Sequence, residues 1–224
     1  MSNLFTPRFK SVRATVLAAG LCLGLIAAGP TLAQAPGVNP ASVSDAPRSN
    51  EAQQVIDWVA ATGDNHGMPF VIVDKKAAEV FVFDGHGQPL GATPVLLGLA
   101  RGDDSAPGIG DRKLSEIRPD ERTTPAGRFV ASLGYGLGKE DILWVDYKTA
   151  LALHRVLGAN SREHRLERLA AASPLDRRIT FGCINVPARF YDGIVQPAFT
   201  GTSGVVYILP EIKSIAEVFA ISAS

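Results

Sequence analysis

Short hydrophobic runs alternate with turn-forming residues from about residue 69 onward. β-branched and aromatic residues dominate these runs, and glycine and proline are frequent between them. The irregular, glycine- and proline-rich gaps favour antiparallel β structure over the regular helical crossovers of a parallel α/β sheet. The pattern therefore predicts a mainly β domain, sandwich-like or barrel-like, with a few short helices. The predicted strands are residues 70–73, 80–83, 93–97, 128–133, 142–145, 151–156, 179–181 and 204–209.

Four segments show helical spacing or helix-capping residues instead. Asn50 is suited to cap a helix over residues 51–62. Ser161 is suited to cap a charged helix over residues 162–172, which we interpret as a surface insertion. Pro187 fits the first turn of a helix that continues to residue 199. A fourth helix is predicted over residues 211–220, where the apolar positions share one face.

The first 33 residues have the pattern of a secretory signal. A basic start precedes an apolar run over residues 14–28, which is shorter than the roughly 20 residues that a membrane-spanning helix needs. Thr31 and Ala33 supply the small residues that signal peptidase favours. We predict a signal peptide over 1–33, cleaved near Ala33, with export to the periplasm and no stable membrane anchor afterwards. An uncleaved anchor is the alternative.

Composition and charge indicate the domain organisation and argue against several classes of partner and cofactor. Residues 34–65 are predicted to be a linker, rich in proline, alanine and serine at its start, followed by the short helix; residues 66–224 form the main domain. The 22 basic residues balance 22 acidic ones, so a nucleic-acid partner is not expected. The histidines and the two cysteines lack metal-ligand spacing, so we expect no metal and no cofactor.

Cys183 is the cysteine that remains once residues 1–33 are removed. It follows a predicted strand and precedes a predicted helix start, where the helix dipole lowers the pKa of a thiol. Gly182 permits close approach of a substrate, and the N–H groups of Gly182 and Cys183 are placed to receive an oxyanion. His154, the one histidine on a predicted strand, is the candidate base. A buried structural cysteine and an ordinary core histidine are the alternatives.

Three segments resemble one enzyme family. TFGCIN at residues 180–185 resembles the [S/T]-H-G-C-hydrophobic-[N/R] signature of the YkuD-type L,D-transpeptidases, in which a histidine lies upstream. VIVDK and VFVFD, at residues 71–75 and 80–84, are similar to the opening hairpin of that family, and TPAGRF at residues 124–129 is similar to its T-P-x-G-x-F turn. Phe181 replaces the histidine that many members have two residues before the cysteine, and the spacer from His154 to Thr180 is longer than usual.

The resemblance implies a mostly β L,D-transpeptidase catalytic domain that acts on peptidoglycan stem peptides as donor and acceptor. Cys183 would form a thioester with the donor carbonyl while His154 moves the proton. The cross-link would be of the 3,3 type or, as the residues around Cys183 and the long spacer favour, the 1,3 type made by an alpha- and betaproteobacterial branch. Hydrolysis by a cysteine carboxypeptidase or amidase, and a non-catalytic wall-binding module, are the alternatives.

Four further residues are assigned to this site. Thr180 and Asn185 are expected to order the cysteine loop or contact the stem peptide, although a plain strand residue and a helix cap are the alternative interpretations. Arg177 and Arg178 are expected to bind a substrate carboxylate, with surface charge as the alternative.

Overall fold

The computed structural model describes residues 48–156 and 161–221. The predicted signal peptide and most of the predicted linker lie outside the described residues, so the domain boundaries and the cleavage site stay predictions. Within the described residues, no helix is both long enough and apolar enough to cross a membrane.

A mixed β-sheet dominates the fold, and the mainly β prediction is confirmed. Eight strands of the described residues lie in one sheet in the order β3-β2-β1-β10-β5-β6-β7-β9, while β4 and β8 pair separately. A bridge between Leu96 and Asn185 connects the chain after β3 to β9, so the two edges of the large sheet nearly close on each other. The strands are β1 (Phe70–Asp74), β2 (Glu79–Phe83), β3 (Pro89–Pro94), β4 (Leu97–Gly98), β5 (Gly127–Tyr135), β6 (Asp141–Asp146), β7 (Leu151–Arg155), β8 (Arg178–Thr180), β9 (Ile184–Val186) and β10 (Ser203–Ile208).

Two strand predictions need correction. The single strand expected over residues 93–97 is divided between the end of β3 and β4. The segment after Cys183, expected to lead directly into a helix, forms β9 instead. This strand is three residues long and is buried on both sides, and its polar Asn185 interrupts the apolar run that would have marked it in the sequence.

A side-chain cap starts the first helix, whereas the short helix of the charged insertion has none. The first helix, α1 (Asn50–Thr62), has Ser49 rather than Asn50 as its N-cap, because the Ser49 side chain accepts the Ala52 N–H. The charged insertion contains 3-10 turns at Ser161–Glu163 and Pro174–Arg177 and a short helix, α2 (Arg165–Leu169). The insertion therefore contains less helix than predicted.

The two C-terminal helices also differ in detail from the prediction. The helix predicted over 187–199 consists of α3 (Ala188–Phe190), a π-helical stretch (Tyr191–Val195) and α4 (Gln196–Phe199). The last helix is α5 (Ile215–Phe219), which Ser214 caps. It begins later than expected because the N–H groups of residues 211–213 donate to the carboxylate of Asp103 instead.

Both faces of the sheet centre are covered by apolar side chains. Val71 and Val73 of β1 face a core that includes Phe190 of α3, whereas Phe70 and Ile72 face a second core under α1 and α5. Alternate residues of one strand thus enter different cores, which is why residues 70–73 of β1 form a continuous apolar run.

Candidate functional site

The register between β7 and β9 brings the predicted site residues together. The two strands are parallel, and His154 lies opposite Asn185. Because side chains alternate along a strand, Cys183 projects to the same face as Asn185, and therefore to the face of His154. The thiol and the imidazole line one groove.

Gly182 shapes the turn that carries the cysteine. Its φ is +135°, in a region that residues with a Cβ seldom adopt. A Cβ at this position would also lie 2.9 Å from the backbone oxygen of Thr123. Glycine is therefore required for two independent reasons, backbone conformation and close approach of the neighbouring chain.

Two threonine hydroxyls hold the turn from both sides. Thr180 Oγ1 accepts the Gly182 N–H at 3.1 Å and donates to the Cys183 carbonyl at 2.7 Å. Thr124 Oγ1 donates to the Gly182 carbonyl at 2.7 Å and accepts the Gly98 N–H at 2.9 Å. The ordering of the cysteine loop by Thr180 stays a prediction, which these contacts make testable by removal of the hydroxyl.

The candidate oxyanion donors differ in availability. The N–H of Gly182 is already bonded to Thr180. The N–H of Cys183 has no acceptor among the described residues. Of the two donors predicted from the sequence, the Cys183 N–H is therefore the one that is available to an incoming oxygen.

The surroundings of Cys183 correct the predicted effect on its thiol. Burial raises the pKa of Cys183, and a backbone contact with Ala152 and the charge of Arg165 oppose that rise without reversing it. The predicted lowering by a helix start fails because β9 separates the cysteine from α3, which begins at Ala188. The thiol is half-buried, and its Sγ lies 3.7 Å from the carbonyl oxygen of Ala150.

Both ring nitrogens of His154 have partners. Nδ1 lies 2.8 Å from the carbonyl oxygen of Arg155, and Nε2 lies 3.0 Å from Nδ2 of Asn185. Burial lowers the pKa of His154; the hydrogen bond with the Arg155 carbonyl opposes this shift, and the charge of Arg165 adds to it. The lowered pKa favours the neutral imidazole near pH 7.

Arg165 is a neighbour of the site that sequence reasoning missed. Its Nη1 donates to Oδ1 of Asn185 at 2.7 Å. The only signal in the sequence is a high density of charge in residues 162–168, which by itself indicates a solvated surface.

The structure places Arg177 and Arg178 in buried ion pairs, in a correction to the sequence prediction. Both are buried. Arg178 donates to both carboxylate oxygens of Glu211, at 2.6 and 3.1 Å, and Arg177 donates to Glu79 at 3.0 Å. Each guanidinium also donates to backbone carbonyls, so these arginines hold the fold together and do not present a free guanidinium to a substrate carboxylate.

Two grooves meet at Cys183. The larger, of about 380 Å³, contains His154 and the exposed apolar side chain of Leu137. The smaller, of about 90 Å³, contains Phe181, whose ring lies 4.0 Å below the guanidinium of Arg122. Cys183 thus lines both grooves. Among the described residues, no group of three or more His, Cys, Asp or Glu side chains is placed to hold a metal ion.

Comparisons with known proteins give matches at the level of structure. No family model matches the sequence, and no curated protein matches it. Similar solved structures include the catalytic domain of an L,D-transpeptidase from E. faecium, at 15% identity and a TM-score of 0.35, over 62% of this chain and 95% of that one. The helical cell shape determining protein Pgp2 from Campylobacter jejuni gives 12% identity and a TM-score of 0.43, over 66% of this chain and 49% of that one.

A third similar structure is an L,D-transpeptidase from Xylanimonas cellulosilytica, at 12% identity and a TM-score of 0.38, over 63% of this chain and 60% of that one. This chain spans about half of the Pgp2 chain and less than two thirds of the Xylanimonas chain. At such identities the likeness concerns the fold alone.

Proposed function

We propose that this protein is a peptidoglycan L,D-transpeptidase in which Cys183 is the nucleophile and His154 is the base. The observation that carries the proposal is the meeting of these two side chains in one groove, at the turn whose residues resemble the family signature. The neutral imidazole beside a protonated thiol suits a base that takes the proton as the sulfur attacks.

The proposed reaction has two acyl-transfer steps. Cys183 Sγ attacks a stem-peptide carbonyl carbon, the thiol proton passes to the imidazole, and the Cys183 N–H stabilises the oxyanion. Collapse of the tetrahedral intermediate breaks the amide bond, and the imidazolium returns the proton to the departing amine. An acceptor amine on a second stem then attacks the thioester, which forms a new amide and restores the thiol.

The position of His154 sets one requirement on the first step. Nδ1 faces the Arg155 carbonyl, so the proton must be taken by Nε2, which in the free protein faces Asn185. The Asn185 amide must therefore release this nitrogen as the thiol proton moves. A bound stem peptide has amide groups that can replace His154 as the partner of the Asn185 side chain.

The two grooves offer the donor and the acceptor separate places beside Cys183. Both contain Cys183, Ala150 and Leu114, and they otherwise have separate walls. Two stem peptides, one donor and one acceptor, could thus approach the same sulfur. We further propose that the protein acts in the periplasm, since residues 1–33 resemble a cleavable signal.

Mass spectrometry of defined wall fragments tests this proposal. We expect incubation of the protein with monomeric stem-peptide fragments to give cross-linked dimers, whose fragmentation also reports whether the link is of the 3,3 or the 1,3 type. Shortened monomers would identify a hydrolase instead, and unchanged fragments would favour a wall-binding module.

Cys183→Ala provides the decisive variant. It removes a small side chain from a half-buried position, so folding should be retained. Imipenem is a β-lactam whose ring carbonyl can acylate a reactive thiol, so it serves as the probe of acylation. We expect no dimers and no covalent adduct with imipenem from the variant, whereas the parent protein should gain one drug mass on the peptide that contains Cys183. Cross-linking by Cys183→Ala at the parent rate would overturn the proposal.

A further inference from the structure

A chain of hydrogen bonds links the charged insertion between β7 and β8 to the candidate base. Arg165 Nη1 donates to Asn185 Oδ1 at 2.7 Å, and Asn185 Nδ2 lies 3.0 Å from His154 Nε2. At the other side of the ring, His154 Nδ1 lies 2.8 Å from the carbonyl oxygen of Arg155.

The chemistry of the end groups fixes every proton in this chain. A guanidinium only donates, so the Asn185 side chain must present its oxygen to Arg165 and its amide N–H groups to His154. The imidazole nitrogen that faces those N–H groups must then be an acceptor. Nε2 therefore carries the lone pair, and Nδ1 carries the proton, which it donates to the Arg155 carbonyl.

The main chain of Asn185 and the Arg155 carbonyl are held in place, so the side-chain amide of Asn185 is the group that can change its orientation. The main chain of Asn185 pairs with β7 and exchanges two hydrogen bonds of 2.9 Å with Leu96. The Arg155 carbonyl accepts from Nδ1 in one tautomer only. Rotation of the Asn185 side-chain amide by half a turn would present its oxygen to Nε2 and would stabilise a proton there.

Arg165 is held in the orientation that this role needs. Its Nε donates to the carboxylate of Glu163, and its side chain is 16% exposed, unlike the solvated residues expected of a surface insertion. Leu169, one turn further along the same helix, is buried, so α2 is packed against the domain.

We propose that Arg165 is a positioning residue, which acts through Asn185, and together with the Arg155 carbonyl at Nδ1, to keep His154 in the tautomer that has its proton on Nδ1 and its lone pair on Nε2. Its importance for turnover rests on the proposed function, because only a base needs that lone pair. Its effect on the tautomer is a property of the free protein and can be measured without substrate. The insertion therefore contributes to the chemistry of the site as well as to its surroundings.

Long-range proton–nitrogen NMR of histidine-labelled protein reads the tautomer directly. Spectra at about pH 8, where a histidine of lowered pKa is neutral, separate a protonated from an unprotonated ring nitrogen. The signals of His154 are identified by their loss in His154→Ala. We expect the parent protein to show the proton on Nδ1.

Arg165→Met and Arg168→Met form a matched pair. Arg168 lies in the same short helix, and its hydrogen bonds among the described residues go to the backbone oxygens of Glu163 and Asp176. In Arg165→Met we expect a substantial fraction of His154 to carry its proton on Nε2. We also expect acylation by imipenem to slow about tenfold, which is part of the roughly 10²–10⁴-fold that a general base contributes. Arg168→Met should keep the parent tautomer and the parent rate.

Asn185→Asp provides a second test if Arg165→Met does not fold. The carboxylate can still accept from Arg165, but towards His154 it can only accept, so Nε2 must carry a proton. The parent tautomer in either folded variant, Arg165→Met or Asn185→Asp, would overturn this inference. Cross-linking by Cys183→Ala would overturn the proposed function and leave the tautomer result standing, so the two failures are distinguishable.

Discussion

His154 lies directly opposite Asn185 in the parallel pairing of β7 and β9, and the two side chains meet at 3.0 Å. The same register continues to Cys183, which precedes β9 and shares its side-chain face with Asn185. A strand pairing, rather than a helix start, therefore sets the relation between the thiol and the imidazole. Any change that shifts this register by one residue would turn the cysteine away from the groove.

Replacement of His154 should slow acylation and remove the acid limb of its pH dependence, which is the fall in rate at low pH. We expect His154→Ala to react with imipenem roughly 10²–10⁴-fold more slowly. In the parent protein, burial lowers the pKa of His154 below 6.5, so the neutral base is present above that pKa and the rate should fall as the pH drops through it. Stopped-flow acylation across this range measures both effects.

His86→Ala is the control for this variant, since His86 is an exposed residue in a turn between β2 and β3. It should retain the parent rate and the acid limb. An unchanged acid limb in His154→Ala would assign that limb to another group.

Gly182 should not tolerate a methyl group. Gly182→Ala places a Cβ 2.9 Å from the Thr123 oxygen at a φ of +135°, and we expect a loss of about 1–3 kcal/mol in the free energy of unfolding. Gly193→Ala, where a Cβ meets nothing within 4 Å, is the matched control. It should be neutral or slightly stabilising, because alanine is the better helix former. Urea unfolding measures the stability of both variants, and equal midpoints would contradict this account of the turn.

The Thr180 hydroxyl should matter to both stability and rate. Thr180→Val keeps the side-chain shape but leaves the Gly182 N–H and the Cys183 carbonyl without their shared partner. We expect a cost of about 1–3 kcal/mol in the free energy of unfolding and slower acylation by imipenem. Thr200→Val removes a hydroxyl that donates to the Gln196 carbonyl on an exposed helix end. This variant should retain the parent stability and the parent acylation rate. Similar unfolding midpoints and rates in the two variants would show that the hydroxyl does not order the turn.

A buried ion pair should dominate the acid stability of the fold. Lys75 donates to Asp103 at 2.7 Å, and both side chains are buried. Burial alone would raise the pKa of Asp103, but Lys75 and three backbone N–H groups lower it to about 2 from an ordinary value of 3.8. This contribution to stability is present above pH 3.8 and is lost as the pH falls towards 2.

Asp103→Asn should cost about 3–5 kcal/mol at neutral pH, because it removes the nearer anion of the buried Lys75 ammonium and leaves only Glu211, at 3.8 Å. The free energy of unfolding of this variant should also vary less with pH between about 4 and 2 than that of the parent protein. Asp104→Asn is the control, since the exposed pair of Asp104 with Lys213 should contribute at most about 1 kcal/mol. Urea unfolding measures the loss of unfolding free energy in both variants. Equal losses would contradict a special role for the buried pair.

The strand pattern and the candidate nucleophile could be predicted from the sequence. Both depend on short-range properties: β1 and β2 are runs of β-branched and aromatic residues, and Cys183 follows a glycine within a short motif. Thr180 and Asn185 were also identified, because they belong to that motif. The interpretation of Asn185 as a helix cap was wrong, because Pro187 holds the N-cap position of α3.

The partners of the charged residues depended on contacts between distant parts of the chain. Arg178 pairs with Glu211, and Arg177 with Glu79, at separations that no local pattern encodes. An arginine beside a motif suggests a ligand, whereas the fold uses both guanidinium groups to bind buried carboxylates and backbone carbonyls.

The sequence by itself determined the mainly β class and the identity of the candidate nucleophile and base, since hydrophobic period and residue type are local quantities. Only the tertiary structure decided that β9 follows Cys183, that burial raises the pKa of its thiol, and that Arg165 reaches His154 through Asn185. These outcomes depend on which strand pairs with which, and on how much solvent each group loses when the sheet edges come together. Strand pairing and desolvation are properties of the assembled domain, because they arise from residues far apart in the chain.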